Sequence, residues 1–135
     1  MSTLKVNNIQ TASGGSNSTP QQIEQGRAKL WASIDGTGTP SFNDSFNCTS
    51  VADNGEGDFT LNFSITMANA NYCIVGMSQN WETTNSDSYT AISEMNQDRS
   101  ATAFRFRCIR LRFDSGNVPF FKDSRHMGVA VFGDV

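Results

Sequence analysis

The feature that most constrains this chain is the alternation of apolar and polar side chains over short segments. Residues 59–65 read FTLNFSI, with a large apolar residue at every second position. This period is that of a β-strand with one buried face, because successive side chains of a strand point to opposite faces. Residues 101–113 show the same period, but its phase changes after Cys108. A one-residue slip would turn side chains to the other face, so we predict a β-bulge at Cys108–Ile109.

Turn-forming residues divide the rest of the chain into seven or eight short segments of this kind. The segment 41–51 predicts one extended run, and the segment 72–79 is apolar on both faces, which predicts a central strand. Ten phenylalanines fit a pleated, half-buried surface. The sequence therefore predicts an all-β domain over residues 27–135, an antiparallel β-sandwich that is jelly-roll-like or immunoglobulin-like. Its turns are expected at residues 35–40, 53–58, 68–71, 80–88 and 96–100.

Residues 1–26 have a different composition and predict an extended N-terminal arm. Leu4, Val6 and Ile9 are the only large apolar residues before a long polar stretch. Such a segment cannot build a core by itself, so it is disordered or orders against a partner. We predict that these three side chains form an assembly arm. Residues 21–27 are expected to add a short helical turn, with a threonine cap and a proline at the first helical position.

The charges are unevenly distributed, although the net charge is only −3. No lysine or arginine occurs between Lys29 and Arg99, and arginines are then frequent. Four of them are predicted to face one side of a strand and to form a subunit interface with acidic residues of a neighbouring copy. A solvated edge strand and a site for anionic polysaccharide are the alternatives. The four residues are Arg105, Arg107, Arg110 and Arg112.

No recognisable catalytic or metal-binding pattern emerges from the residue types. The three cysteines are widely spaced and predict neither a disulfide framework nor a zinc site. The acidic loop 53–58 offers oxygen ligands but lacks the full EF-hand pattern, so whether it binds an ion stays open. We expect no enzymatic activity, no cofactor, and no nucleic-acid or membrane partner. Trp81, which lies within a polar loop, and Tyr89 are the candidates for contact with a host-surface glycan.

Several segments, taken in order, resemble the C-terminal domain of tailed-bacteriophage tail-fibre-like and virion structural proteins, including those of marine and cyanobacterial phages. The resemblance is strong between about residues 25 and 75 and weak between 78 and 125. The matching segments are STLKVNNIQ at 2–10, QGRAKLWA at 25–32, DGTG at 35–38, DSFN at 44–47, DNGEGDFTLNF at 53–63 and VAVFGD at 129–134.

The resemblance implies a homotrimeric structural protein of the virion, assembled in the host cytoplasm. It favours a tail fibre or tip module that attaches to the host surface. The short arm, from which no fibre shaft can be built, favours instead a capsid decoration (cement) protein or a tail adaptor whose arm locks onto other virion proteins.

Overall fold

The computed structural model describes residues 2–15, 17–79, 88–112 and 119–135, with the backbone alone at 88, 89, 96, 97 and 112. One short helix and eleven β-strands form in this part of the chain. In chain order they are β1 (Ile9–Gln10), β2 (Asn17–Ser18), α1 (Pro20–Gly26), β3 (Leu30–Asp35), β4 (Ser41–Phe46), β5 (Cys48–Gly55), β6 (Asp58–Phe63), β7 (Cys73–Ser78), β8 (Ser88–Arg99), β9 (Ala103–Arg112), β10 (Pro119–Phe121) and β11 (Met127–Phe132).

Two antiparallel sheets pack face to face, which confirms the prediction of an all-β antiparallel sandwich. The four-stranded sheet has the order β4-β3-β11-β7. In the five-stranded sheet β5, β6 and β9 follow one another, and β8 pairs with the other edge of β9. The strands β6 and β10 pair with the same edge of β9, one after the other. β6 pairs with residues 103–107 and β10 with residues 109–111.

The core lies between the sheets and takes alternate residues from four strands. This alternation is the physical reason for the sandwich, since each strand can bury only one of its two faces. Phenylalanines dominate the five-stranded side, with ring centroids of Phe59 and Phe106 5.7 Å apart. The core side chains are Leu30, Ala32 and Ile34 of β3, Phe59, Leu61 and Phe63 of β6, Phe104, Phe106 and Cys108 of β9, and Met127, Val129 and Val131 of β11, with Met67 and Tyr72.

The predicted bulge at Cys108–Ile109 is wrong. The strands β8 and β9 pair in one register from Glu94 to Ser88, and the shift lies between Glu94 and Arg99 instead. Burial alternates without interruption along β9. The apparent change of phase has another cause: the core face continues with Arg110, while Ile109 turns to the outer face.

Two further expectations about strands need correction. The segment predicted to be central, 72–79, contains β7, which lies at the edge of the four-stranded sheet. Both of its faces carry apolar residues, although one face packs near the core and the other is exposed. The segment 41–51, predicted as one extended run, is split at Asn47, whose φ of 57° turns the chain from β4 in one sheet to β5 in the other.

The N-terminal arm is partly folded rather than extended throughout. The two-residue strands β1 and β2 pair with each other, and α1 follows. The predicted helical turn is confirmed, since Thr19 caps α1 with a reciprocal capping box to Gln22 and Pro20 begins the helix. The buried amine of Lys29 ties α1 to the sandwich, because it donates to the carboxylate of Glu24 at 2.6 Å.

Candidate assembly surface

A row of apolar residues crosses the outer face of the four-stranded sheet. Phe46 on β4 lies opposite Trp31 on β3, which lies opposite Ala130 on β11, which in turn lies opposite Val75 on β7. Directly opposed residues of antiparallel strands share one face, so these four form a continuous row. Trp31, Phe46 and Val75 are 38%, 46% and 50% exposed. Contiguous exposed apolar surface of this kind marks interaction sites on soluble proteins.

Small residues in the middle of this face make a groove. Gly128 and Ala130 form its floor, and Trp31 stands on one side of it while Val75 and Met77 stand on the other. The Met77 side chain is 79% exposed. A Cβ added at Gly128 would meet no atom within 4 Å, so the floor is open to solvent. We call this feature, with those five residues, the β11 groove.

The exposure of Trp31 follows from the phase of β3. Leu30, Ala32 and Ile34 are buried between the sheets, so the residue between the first two must point outward. None of the residues predicted as site residues lies on this face, although the alternation carries the signal. Once the core phase of β3 and β7 is fixed, the out-of-phase residues include a tryptophan, a valine and a methionine beside a serine and an aspartate.

The arm carries a second exposed apolar surface. Leu4, Val6 and Ile9, the predicted assembly arm, line a shallow depression together with Pro20 and Ile23 of α1. We call these five residues the arm cluster. Leu4 is 86% exposed, the highest value among the exposed large hydrophobic residues that the structure describes. The arm cluster is distinct from the sandwich core, which contains none of its members.

The two apolar surfaces differ in charge. The four strands that carry the groove contain no lysine or arginine, and their two acidic residues, Asp35 and Asp44, both occupy outer-face positions. Hydrogen bonds from the hydroxyl and the amide of Thr37 hold the pKa of Asp35 below its usual value. In residues 2–23 the only charged side chain is that of Lys5. The groove face is therefore acidic, and the arm segment 2–23 carries one positive charge.

The outer face of the five-stranded sheet is organised around a buried carboxylate. Asp58, which begins β6, accepts hydrogen bonds from Nε and Nη2 of Arg105 at 2.7 and 3.0 Å and from Nε of Arg107 at 2.8 Å. Arg105 also pairs with Asp98 at 3.2 Å. The Arg105 guanidinium, followed by that of Arg107, holds the pKa of Asp58 below its ordinary value against the opposing effect of burial.

This network corrects the predicted arginine row. Arg105 and Arg107 share the outer face and pair with an aspartate of their own chain. Arg110 lies on the opposite, core-facing side of β9, is buried, and has its guanidinium 5.7 Å from the ring centre of Phe120. The expectation that the four arginines face one side is therefore wrong. For Arg112 the structure describes the backbone at the end of β9.

The predicted receptor residues are not brought together by the described structure. Trp81 lies outside the described residues. Tyr89 lies on β8, paired with Leu111, and its backbone alone is described. The host-glycan contact therefore stays a prediction.

The acidic side chains of the loop 53–58 are each engaged within the chain. Asp53 accepts the amide of Gly55 at 2.9 Å, and Glu56 pairs with Lys122 at 2.7 Å. Asp58 is held by the arginines described above. Within the described ranges, no group of three or more histidine, cysteine, aspartate or glutamate side chains is placed to hold a metal ion.

The three cysteines are free thiols in different environments. Cys108 is buried in the core, and burial raises the pKa of its thiol. Burial also raises the pKa of Cys48 to about 11. Cys73 is exposed on the edge strand β7. Low-pKa thiolates are the reactive form of cysteine, so Cys48 and Cys108 have environments that disfavour nucleophilic chemistry.

The described part of the chain holds no helix that is long and apolar enough to cross a membrane. In comparisons with known proteins, no family model, no curated protein and no solved structure matches this chain.

Proposed function

We propose that this protein is a structural component of a tailed-bacteriophage particle, a trimeric tail-fibre-like module that works by assembling with copies of itself rather than by catalysis. The bacteriophage assignment is supported by the resemblance of its N-terminal, 25–75 and C-terminal segments to virion proteins. Self-assembly is supported by one observation above all: the sandwich buries a complete core and still exposes the apolar row and the β11 groove.

Exposed apolar surface favours assembly because a neighbouring subunit can cover it. Moving apolar surface out of water is favourable by roughly 25 cal/mol per Å². A monomer that keeps Trp31, Phe46, Val75 and Met77 exposed forgoes this stabilisation. A subunit of a larger particle gains it when the surface is covered. Virion subunits exist mainly in the assembled state, so exposed apolar surface on the isolated chain is expected for that role.

A second candidate is a capsid decoration protein or a tail adaptor. The arm cluster favours it, because an exposed apolar segment joined to a folded domain can dock on a different virion protein. Attachment of a fibre tip to host glycan belongs to the first candidate and is tested separately, by glycan binding of wild-type protein and a Trp81→Ala variant.

The test is the copy number and position of the protein on purified particles, by gel densitometry and labelled-antibody electron microscopy. A small number of copies at the tail would support the fibre-like module. Hundreds of copies over the head would support decoration. Absence from purified particles would contradict a virion role altogether.

A further inference from the structure

We propose that the β11 groove receives the arm of a second copy of this chain, with Leu4 and Val6 inserted between the groove walls. This inference deepens the proposed function, on which it rests, by naming the two surfaces that meet when copies assemble. The arm belonging to the same chain does not fill the groove, because Leu4 is 86% exposed.

The spacing of the two surfaces is matched. Leu4 and Val6 are two positions apart, so in an extended segment they point to the same side about 6.6–6.8 Å from each other. Gly128 and Ala130 are also two positions apart on β11 and form the groove floor with the same repeat. The walls stand on β3 and β7, two strand spacings or roughly 10 Å apart, which admits one extended chain.

Charge complementarity selects the arm over a face-to-face contact of two sandwiches. Two copies of the groove face would bring Asp35 and Asp44 of one copy towards the same residues of the other, with no lysine or arginine on those four strands to compensate. The arm brings Lys5, whose side chain points away from the groove floor when Leu4 and Val6 are inserted, so its positive charge lies above a face whose charged residues are acidic. Like charges at an interface are unfavourable and opposite charges select the partner.

The buried area is also appropriate. The groove walls Trp31, Val75 and Met77 are 38%, 50% and 79% exposed, which leaves an apolar patch on the order of a few hundred Å². In a closed assembly every copy gives one arm and receives one, so each copy buries two such contacts. Two contacts approach the roughly 800 Å² per partner of a stable protein interface. The contact joins different surfaces, which permits a closed ring such as a trimer.

The first test is the mass of the full-length protein across a concentration series, by sedimentation velocity. Gly128→Val fills the groove floor at a position where an added Cβ meets no atom within 4 Å, and Leu4→Asp removes the inserted side chain. Each is expected to weaken self-association roughly 10-fold or more. The matched controls are Ala52→Val, which places the same side chain at an exposed strand position, and Asn8→Asp, which adds the same charge to the arm. Both controls should stay within about two-fold of wild type.

A mixing experiment distinguishes the arm from other occupants. The Gly128→Val variant keeps an intact arm and the Leu4→Asp variant keeps an intact groove. Mixed together, they should form one-to-one dimers at a concentration at which each variant alone is monomeric. Met77→Asp, at an exposed wall position, replaces Gly128→Val if circular dichroism shows that the valine variant is not folded.

Three results would overturn the inference. If the groove variant weakens assembly and Leu4→Asp does not, the occupant is another surface, such as a second groove face. If Leu4→Asp weakens assembly and the groove variant does not, the arm docks elsewhere. If wild-type protein assembles and both variants assemble equally well, the inference fails while the proposed self-assembly stands. Wild-type protein that remains monomeric at every concentration would contradict the proposed self-assembly itself.

Discussion

The outer face of the five-stranded sheet carries charged side chains that are paired within the chain, and its exposed phenylalanine on β10 lies under the guanidinium of Arg107. The outer face of the four-stranded sheet instead carries a row of exposed apolar side chains. On the first face Asp58 accepts three hydrogen bonds from Arg105 and Arg107. On the second face Trp31 and Met77 stand beside a floor of glycine and alanine. Both faces belong to one sandwich with one core, so folding alone does not account for the difference.

The difference indicates which face already has partners for its side chains within one chain. A buried carboxylate with three charge-assisted hydrogen bonds gains nothing from a further partner. Exposed tryptophan and methionine side chains gain free energy from any partner that excludes water. We therefore assign stability of the chain to the first face and assembly to the second, and the following changes test that division.

The largest effect is expected from a pair of glycine substitutions, one in the β5–β6 turn of the five-stranded sheet and one on β11 of the four-stranded sheet. Gly57 has a φ of +66°, and a Cβ there would lie 2.9 Å from the carbonyl oxygen of Cys108 and would overlap the amide nitrogen of Lys122. Gly57→Ala should lower the free energy of unfolding by about 3 kcal/mol through backbone strain and steric overlap. Gly128→Ala, in open space, should leave it unchanged or raise it by about 0.5 kcal/mol. Urea unfolding measures both, and equal effects would contradict the division.

Asp58→Asn should have the next largest effect. The substitution removes the charge that two arginines surround and is expected to lower the free energy of unfolding by about 2 kcal/mol. The matched control is Asp44→Asn on the other face, where the exposed carboxylate accepts the neighbouring amide of Ser45. That control should change stability little. A loss at Asp44 as large as that at Asp58 would show that both faces stabilise the monomer.

The stabilisation by Asp58 should depend on pH with a defined sign. In the folded chain the arginines lower the pKa of this carboxyl below its ordinary value of 3.8. A lowered folded pKa gives stability that is complete above the unfolded pKa and is lost as the pH falls through the folded pKa. The difference between wild type and Asp58→Asn should be constant near about pH 7 and shrink below about pH 4. Urea unfolding at several pH values checks this, and a constant difference down to about pH 3 would contradict it.

The smallest effect is expected from the charge of the arm. Lys5→Glu should weaken self-association by a few-fold at low salt, since rim charges contribute about 1 kcal/mol or less. The effect should diminish as salt is raised. Sedimentation at two salt concentrations measures it, with Lys5→Gln as the control that removes the charge without reversing it. Stronger assembly of Lys5→Glu would contradict the charge complementarity between arm and groove.

The strands and the sandwich were predictable because their signal is local. Alternation at residues 59–65 and the turn at 53–58 specify the β5–β6 hairpin directly, and Thr19 with Pro20 specifies the start of α1. The position of β7 at a sheet edge was not predictable, because an apolar residue gives the same sequence pattern whether its side chain faces the core or an exposed surface. The pairing of Arg105 with Asp58, 47 positions away, depends on strand order, which single-strand patterns do not encode.

The candidate site was predictable only in part. The arm residues Leu4, Val6 and Ile9 stood out because their surroundings in sequence are polar. The groove is assembled from β3, β7 and β11, whose residues become neighbours only through the registers of the sheet. The prediction that the four arginines face one side was wrong for a related reason. Arg110 points to the core side because β9 continues without a bulge.

The most direct test of the account is the exposure of Trp31 as the protein assembles. The chain has two tryptophans, so a Trp81→Phe variant reports on Trp31 alone. Acrylamide quenching of its fluorescence should be efficient in dilute protein and fall several-fold as the mass rises with concentration, because the groove wall becomes covered. Assembly that leaves the quenching of Trp31 unchanged would show that copies meet through another surface and would contradict the assignment of assembly to this face.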